Sequence, residues 1–585
     1  MTVIRVVPLQ RLPPQHRWFD YVWVAADPPV VGQLVLVPFG RSEIQGLIWG
    51  VDPDGKIGAL KKILRVLTDT PVVTAWQQLI VQCIADHGHV SHSTAIMSVL
   101  PTSRFDFSGT ITTAPKKKIP VPPAPETVWW YHDRSEVIDR LATWLEKTSG
   151  PRLLIVPTTE DGQDVMREAA RRKHTVSFVH GQMKPAEYRQ IYTDILHGQT
   201  VSVIGTAKAM TLPFSVPPSI MIDQEEHPAH RQQFRHPRID PRFILNAANI
   251  PCSITTSAPS LWWWNQHPAS PPEWPEHRQL GVMNEPGLRP WISSKLETLI
   301  EESVHGGRRL TVIVPRQGFA HALRCLDCHT AVRCKHCGEY LRLFQRPEGL
   351  ALCAQCNHLM PVPVTCAGCH GSRLRFQGLG PERFAQELRT LWPTAKVVLE
   401  PTHDFHILVQ TYKVYHWLSQ AEPSNVAVIS GDSLLNNPDF AASERAWQFL
   451  HRLAAAQPHS TILVQTYVPE HDFWQRWVRA DDRAFYSHEL AERQRLLVPP
   501  ATRQWIARHN GLVSKQDIAK KTEALDALHL DAHLMEPQPS LGQKTMVKIL
   551  ITLDPASALS PNKINWLEIF PHPWQLEEDI QSWND

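Results

Sequence analysis

Residues 219–230 read SIMIDQEEHPAH, and this stretch decides the fold. Ile220, Met221 and Ile222 form an apolar run that delivers the chain into Asp223, Gln224, Glu225 and Glu226. A short buried run that ends in carboxylates is the signature of a parallel-sheet strand in a nucleotide-hydrolysing α/β domain, where the acids hold Mg²⁺ and orient water. Working outward, Leu153-Leu154-Ile155-Val156 reads as a second buried strand of the same kind. One member of the acidic run is an amide. Gln224 can neither carry a negative charge nor take a proton from water.

At 585 residues the chain is too long for one hydrophobic core, and several domains are expected. A hydrophobic share of 43% and a charged share of 20% are those of an ordinary globular protein. The net charge of +2 selects no partner class, because basic patches hide inside a near-neutral total. The N-terminus lacks a signal-peptide pattern, and no run approaches about 18 apolar residues. No membrane association is expected, and a reducing cytoplasm is the expected compartment. There cysteines serve as metal ligands more often than as disulfides.

Eight of the ten cysteines fall between residues 325 and 369 as four C-x-x-C pairs, CLDC, CKHC, CAQC and CAGC. Each pair can offer two thiolates to one tetrahedral metal, so eight ligands suit two closed, structural zinc sites. Spacing alone leaves three ways of pairing the four knuckles. The lone Cys83 and Cys252 read as small buried apolar residues.

The flanks of this module carry a family resemblance. It is preceded by LTVIVPRQGFAHALRC and followed by RLRFQGLGPERFAQEL. These resemble the runs NRRGYAxxLxC and GxGTERxxEEL that bracket the zinc module of the bacterial primosomal protein N′ (PriA) family of replication-restart helicases. The resemblance implies nested pairs: Cys325, Cys328, Cys366 and Cys369 on one zinc, and Cys334, Cys337, Cys353 and Cys356 on the other. It also implies an α/β fold of two RecA-like lobes with this double zinc ribbon inserted in the second. The expected plan is an N-terminal β-rich domain that binds a 3′ DNA end at 1–104 and a linker at 105–128 where the family has a winged helix. A first lobe follows at 129–275, a second lobe at 276–500 with its insertion at 322–372, and a C-terminal α+β domain at 501–585. In the N-terminal domain, short alternating strands broken by Pro-Phe-Gly turns match the family's terminal-nucleotide pocket. The matching residues are Phe19, Asp20, Phe39, Gly40 and Lys61. An aromatic face, a carboxylate for a terminal hydroxyl, a close-approach glycine and a phosphate-binding lysine suit that task.

The nucleotide-binding motifs depart from the family. Its phosphate loop, GVTGSGKTE, corresponds here to VWWYHDRSEVIDRLATWLEK, with no glycine and no Gly-Lys-Ser/Thr. Its DEEH becomes Asp223-Gln224-Glu225-Glu226, and its QVAGRAGR becomes HRLAAAQPHS, with only Arg452 nearby. The expectation is therefore a degenerate helicase core that does not hydrolyse ATP. It would bind branched or forked DNA with a 3′ end and help reload the replicative helicase. Expected partners are single-stranded DNA-binding protein and other primosome or helicase-loading proteins, in a nucleoid-associated cytoplasmic location. The competing expectations are an active 3′-5′ helicase with an unorthodox nucleotide site and a zinc-ribbon interaction protein that no longer acts on DNA.

Overall fold

The computed structural model describes residues 2–13, 16–53, 59–100, 127–231, 239–268, 278–283, 291–314, 322–328, 332, 341–343, 350–353, 359–361, 363–377, 380–411, 414–436, 439–511, 513–539, 545–553, 564, 566–571 and 573–578. Nearly all of the linker expected at 105–128 lies outside them.

The N-terminal unit is a five-stranded sheet followed by two helices, Ala75–His87 and His92–Val99. Val3–Pro8 is an inner strand, paired antiparallel with the edge strand Phe19–Val22 on one side and the central strand Ser42–Asp52 on the other. Both helices start where the sequence supplies a cap. Thr74 and Gln77 form a reciprocal capping box, and Ser91 accepts from Thr94 N–H. The first helix fastens this unit to the next. Trp76 Nε1 donates to the Met210 carbonyl at 3.0 Å, and Gln77 Nε2 donates to the Thr211 carbonyl at 2.8 Å.

Two six-stranded parallel sheets follow. In the first, the order across the sheet is Val128–Trp130, Ser253–Thr256, Ser219–Ile222, Arg152–Ile155, Ser202–Gly205, Ser177–Val179. Ser219–Ile222 is wholly buried, as the uninterrupted apolar run requires of a strand covered on both faces. In the second sheet the order is Arg278–Val282, Ile462–Thr466, Ser424–Val428, Arg309–Ile313, Ile407–Gln410, Val397–Val398. The cysteine-rich segment leaves this second lobe after Arg309–Ile313 and returns at the helix Pro381–Leu391.

The two lobes pack closely. Trp264 of the first stacks on Tyr486 of the second at 4.3 Å between ring centroids, and the Tyr486 hydroxyl donates to the Pro259 carbonyl at 2.7 Å. Gln420 donates to both oxygens of Asp164, at 2.8 and 2.7 Å. The chain ends in a four-stranded antiparallel sheet of order Leu530–Pro539, Thr545–Leu553, Gln504–Asn510, Gln575–Glu578. With helices Lys515–Asp526 and Trp566–Ile569 this is a β-α-β-β-α-β, ferredoxin-like unit. Among the described residues no helix is long and apolar enough to cross a membrane.

Candidate functional site

Ligands of parallel α/β sheets bind outside the carboxyl ends of the central strands. In the first lobe that position lies beyond Ile222, where the acidic run begins. Asp223 is fully buried, and both of its oxygens face one guanidinium. Arg134 Nη1 donates to Oδ1 at 2.7 Å, and Nη2 donates to Oδ2 at 2.6 Å. Arg134 is the first residue of the helix Arg134–Lys147, which is capped by Asp133 and stands where a phosphate loop would lead into its helix. Its Nη2 also lies 3.3 Å from Asp161 Oδ1. Burial opposes the charge on Asp223, but the Arg134 guanidinium more than offsets it and holds the carboxyl below its ordinary range. Asp161, with a weaker share of the same cation, is left raised by its burial.

Gln224 completes this network. Its Nε2 donates to Asp161 at 2.9 Å, and its Oε1 accepts from the Tyr415 hydroxyl of the second lobe at 3.3 Å. Its backbone is left-handed, with φ +50°, a conformation that disfavours a side chain. The Gln224 N–H bonded to Thr255 Oγ1 at 2.9 Å holds it there. Glu225 accepts from the Ser260 N–H and hydroxyl at 2.8 and 2.7 Å, and burial pushes its carboxyl up to about 7. Glu226 accepts from the Thr256 and Ser257 hydroxyls, both at 2.8 Å. Every carboxylate of the run is thus satisfied from within the protein. A Mg²⁺ ion at Asp223 would have to displace a buried, bidentate guanidinium, and the donor set does not fit a metal–nucleotide complex. The residues expected in place of the phosphate loop add bulk, with Tyr131 buried beside this network.

Of the N-terminal residues singled out from the sequence, Phe19 and Phe39 come together with Gly40 next in chain, whereas Lys61 adjoins Val22 at the other end of the strand Phe19–Val22. Phe19 and Phe39 meet edge to face, 5.2 Å between centroids, and His16 stacks on Phe19 at 5.6 Å. Asp20 and Lys61 are exposed on adjoining segments, tied by the Val22 N–H donating to the Lys61 carbonyl at 2.9 Å. Gly40, at φ +61°, opens the two-residue turn between Phe39 and Ser42, which requires a glycine there on backbone grounds alone.

Four thiols of the cysteine module converge. Cys325, Cys328, Cys366 and Cys369 offer sulfurs all within 4.8 Å of one another. The antiparallel pair Ala322–Cys325 and Leu374–Gln377 brings the two knuckles together. Asp327 N–H donates to Cys325 Sγ at 3.4 Å and Gly368 N–H to Cys366 Sγ at 3.3 Å, the geometry of loops folded around thiolates. Sulfur separations of 3.5 Å for Cys325–Cys369 and Cys328–Cys366 are far beyond a disulfide bond of about 2.05 Å. The Gly371 N–H lowers the Cys369 thiol, but crowding by Cys328 and Cys325 pushes it up to about 12. Four sulfurs this close call for a cation, and the set fits a tetrahedral metal such as zinc. Cys334, Cys337 and Cys356 lie outside the described residues, and Cys353 is placed only as the last residue of the strand Leu350–Cys353. Metal analysis of the purified protein is expected to return two zincs per chain. Cys334→Ser should lower that count and weaken partner binding more than DNA binding. A count near one in the parent, or iron in place of zinc, would overturn the assignment.

The fold is a mixed α/β architecture with parallel sheets, carrying an inserted module whose four converging cysteines could hold a metal ion. A family model described as the 3′DNA-binding domain (3′BD) of PriA matches residues 6–101. The replication restart protein PriA of Bacillus subtilis is 26% identical over 381 residues, covering 58% of this chain and 47% of the relative. That of Synechocystis is 22% identical over 493 residues, 73% of this chain and 58% of the relative. The chain is thus similar to PriA in its N-terminal domain and, at low identity, over much of its length. It spans about half the length of most of the curated relatives it matches. The structure of RecG bound to a three-way DNA junction covers 62% of this chain and 43% of that one at 13% identity, with a TM-score of 0.33. A likeness of that size carries no argument.

Sequence reasoning found the acidic run but not its partner. Arg134 lies 89 residues before Asp223, and no local spacing links them.

Proposed function

We propose that this protein is a replication-restart factor that recognises branched DNA through the 3′-end pocket and acts without ATP hydrolysis. The observation that carries the reading is the Arg134 guanidinium seated on both oxygens of Asp223, where a working site needs Mg²⁺. The lobes then serve to hold the 3′-end domain, the cysteine module and the C-terminal domain in fixed relation. The zinc module is the platform for helicase-loading proteins and single-stranded DNA-binding protein, and the protein acts at the nucleoid. In support, Trp76 and Gln77 anchor the N-terminal domain to the first lobe through buried hydrogen bonds. An active helicase would have to open a charge network that is closed on every side. A zinc-ribbon protein unconnected with DNA is disfavoured by the Phe19–Phe39 pair, with Asp20 exposed beside it and Lys61 exposed on the adjoining segment.

Asp20→Ala and Lys61→Ala are each expected to weaken binding to forks with a free leading-strand 3′-OH by about tenfold, the loss of one charge-assisted hydrogen bond. Lys61→Ala should also reduce the salt slope by about one, because it removes one phosphate contact. Both residues are exposed, so folding should be unaffected. Parent-like binding by both variants in a fork-binding titration would show that this pocket is not the DNA site.

A further inference from the structure

A cavity lies where the two lobes meet the C-terminal domain, next to the acidic run, whose Glu226 forms part of its wall. It has a volume of about 320 Å³, within the range of small-molecule sites. Six arginines and two glutamates line it: Arg231, Arg242, Arg445, Arg452, Arg493 and Arg503 against Glu226 and Glu444. Much of this charge is engaged. Arg242 is paired with Asp240 at 2.6 Å, and Arg493 with Glu444 and Glu489, both at 3.0 Å. Two other arginines face charge of opposite sign without a full set of hydrogen bonds. Arg445 Nη2 is buried and lies 3.2 Å from Asp439 Oδ2, yet it makes no hydrogen bond. Arg452 packs over the Tyr415 ring at 5.8 Å and acts on the Glu226 carboxyl through its charge without a direct ion pair.

The opposite kind of group is also unsatisfied. Gln504 lines the cavity, is only 3% exposed, and its Oε1 is buried with no hydrogen-bond partner. Its Nε2 is occupied by Thr552 Oγ1 at 3.0 Å, which leaves the carbonyl as an acceptor. An orphaned buried donor and an orphaned buried acceptor on one cavity require a ligand or water that supplies both complements. Phe243 and Trp262, in edge contact at 5.4 Å, add an aromatic wall suited to a base.

We propose that this cavity binds one nucleotide unit, its phosphate on Arg445 and Arg452 and an amino-bearing base on Gln504. A free nucleotide and the phosphorylated end of a strand share that chemistry. Calorimetric titration of the full-length protein with dAMP, with deoxyadenosine and with a 5′-phosphorylated oligo(dA) separates them. The oligonucleotide arm is run in an Asp20→Ala background, so that failure of the 3′-end pocket is read independently.

The expected result is saturable binding of dAMP, at least about tenfold weaker for deoxyadenosine and for Arg445→Ala or Arg452→Ala. Arg452→Lys should retain part of the affinity. Binding of the oligonucleotide alone, with the same arginine dependence, would identify the strand end as the source. Absence of saturable binding for every probe at low salt overturns the proposal, as does binding that neither arginine substitution alters.

Discussion

Arg134→Ala is expected to destabilise the first lobe by about 3–5 kcal/mol, because it leaves buried carboxylates without their cation. The guanidinium is 2% exposed, and the two carboxylates it touches, Asp223 and Asp161, are 0% and 7% exposed. Removing one partner of such a cluster forfeits the attraction while the desolvation cost of the others stays. Arg134→Met combined with Asp223→Asn should recover a large part of the loss, since the excess charge goes with the guanidinium. The pH dependence has a definite sign. Asp223 is held below its ordinary pKa, so its contribution is present above the carboxylate range and fades as the pH falls through its folded value. In Arg134→Ala that carboxyl has no cation and protonates more readily. The deficit against the parent should therefore be largest at neutral pH and shrink in acid. Hydrogen exchange in the strand Ser219–Ile222 gives the local reading. Parent-like protection in Arg134→Ala at pH 7 would show that the ion cluster does not hold the lobe together.

The second large effect concerns Gln224→Glu, which restores the missing carboxylate of the acidic run. It should leave ATP turnover at background. Hydrolysis needs phosphate held by backbone and lysine, Mg²⁺ on an available Asp, water oriented by a carboxylate, and an arginine for the developing charge. Groups that act as a unit are non-additive, so repairing one leaves the others limiting. The substitution should also destabilise the lobe by about 1–3 kcal/mol. It removes the N–H donor to Asp161 and sets a second acceptor against that buried carboxyl. A gain of DNA-stimulated turnover in Gln224→Glu would mean that the phosphate site is intact after all.

The parts of the fold legible in the sequence are those written in local patterns. The apolar run before Asp223 is a buried parallel strand, and TMVKILITL is the strand Thr545–Leu553. Cys83 and Cys252 are buried, as their isolation in apolar surroundings suggested. The outer cysteine knuckles meet as the family's nesting implied, because a hairpin-like pairing of flanking strands closes that loop. What escaped the sequence is long-range pairing of charge. That Asp223 survives in the motif suggested a retained Mg²⁺ ligand, whereas its oxygens serve an internal salt bridge. One signal was available. An aspartate at a buried strand end needs a cation, and with no Gly-Lys present, the first basic residue of the helix that replaces the phosphate loop is Arg134. The arginines around the cavity come from three separate parts of the chain and could not be grouped before folding.

If the internal cation seals the strand end, as proposed, the protein should bind forks without turnover. ATP hydrolysis by the unmodified protein, measured with and without saturating forked DNA, tests it most directly. Background turnover is expected in both conditions while the same preparation binds the fork. Robust DNA-stimulated hydrolysis that Asp223→Ala abolishes would contradict it.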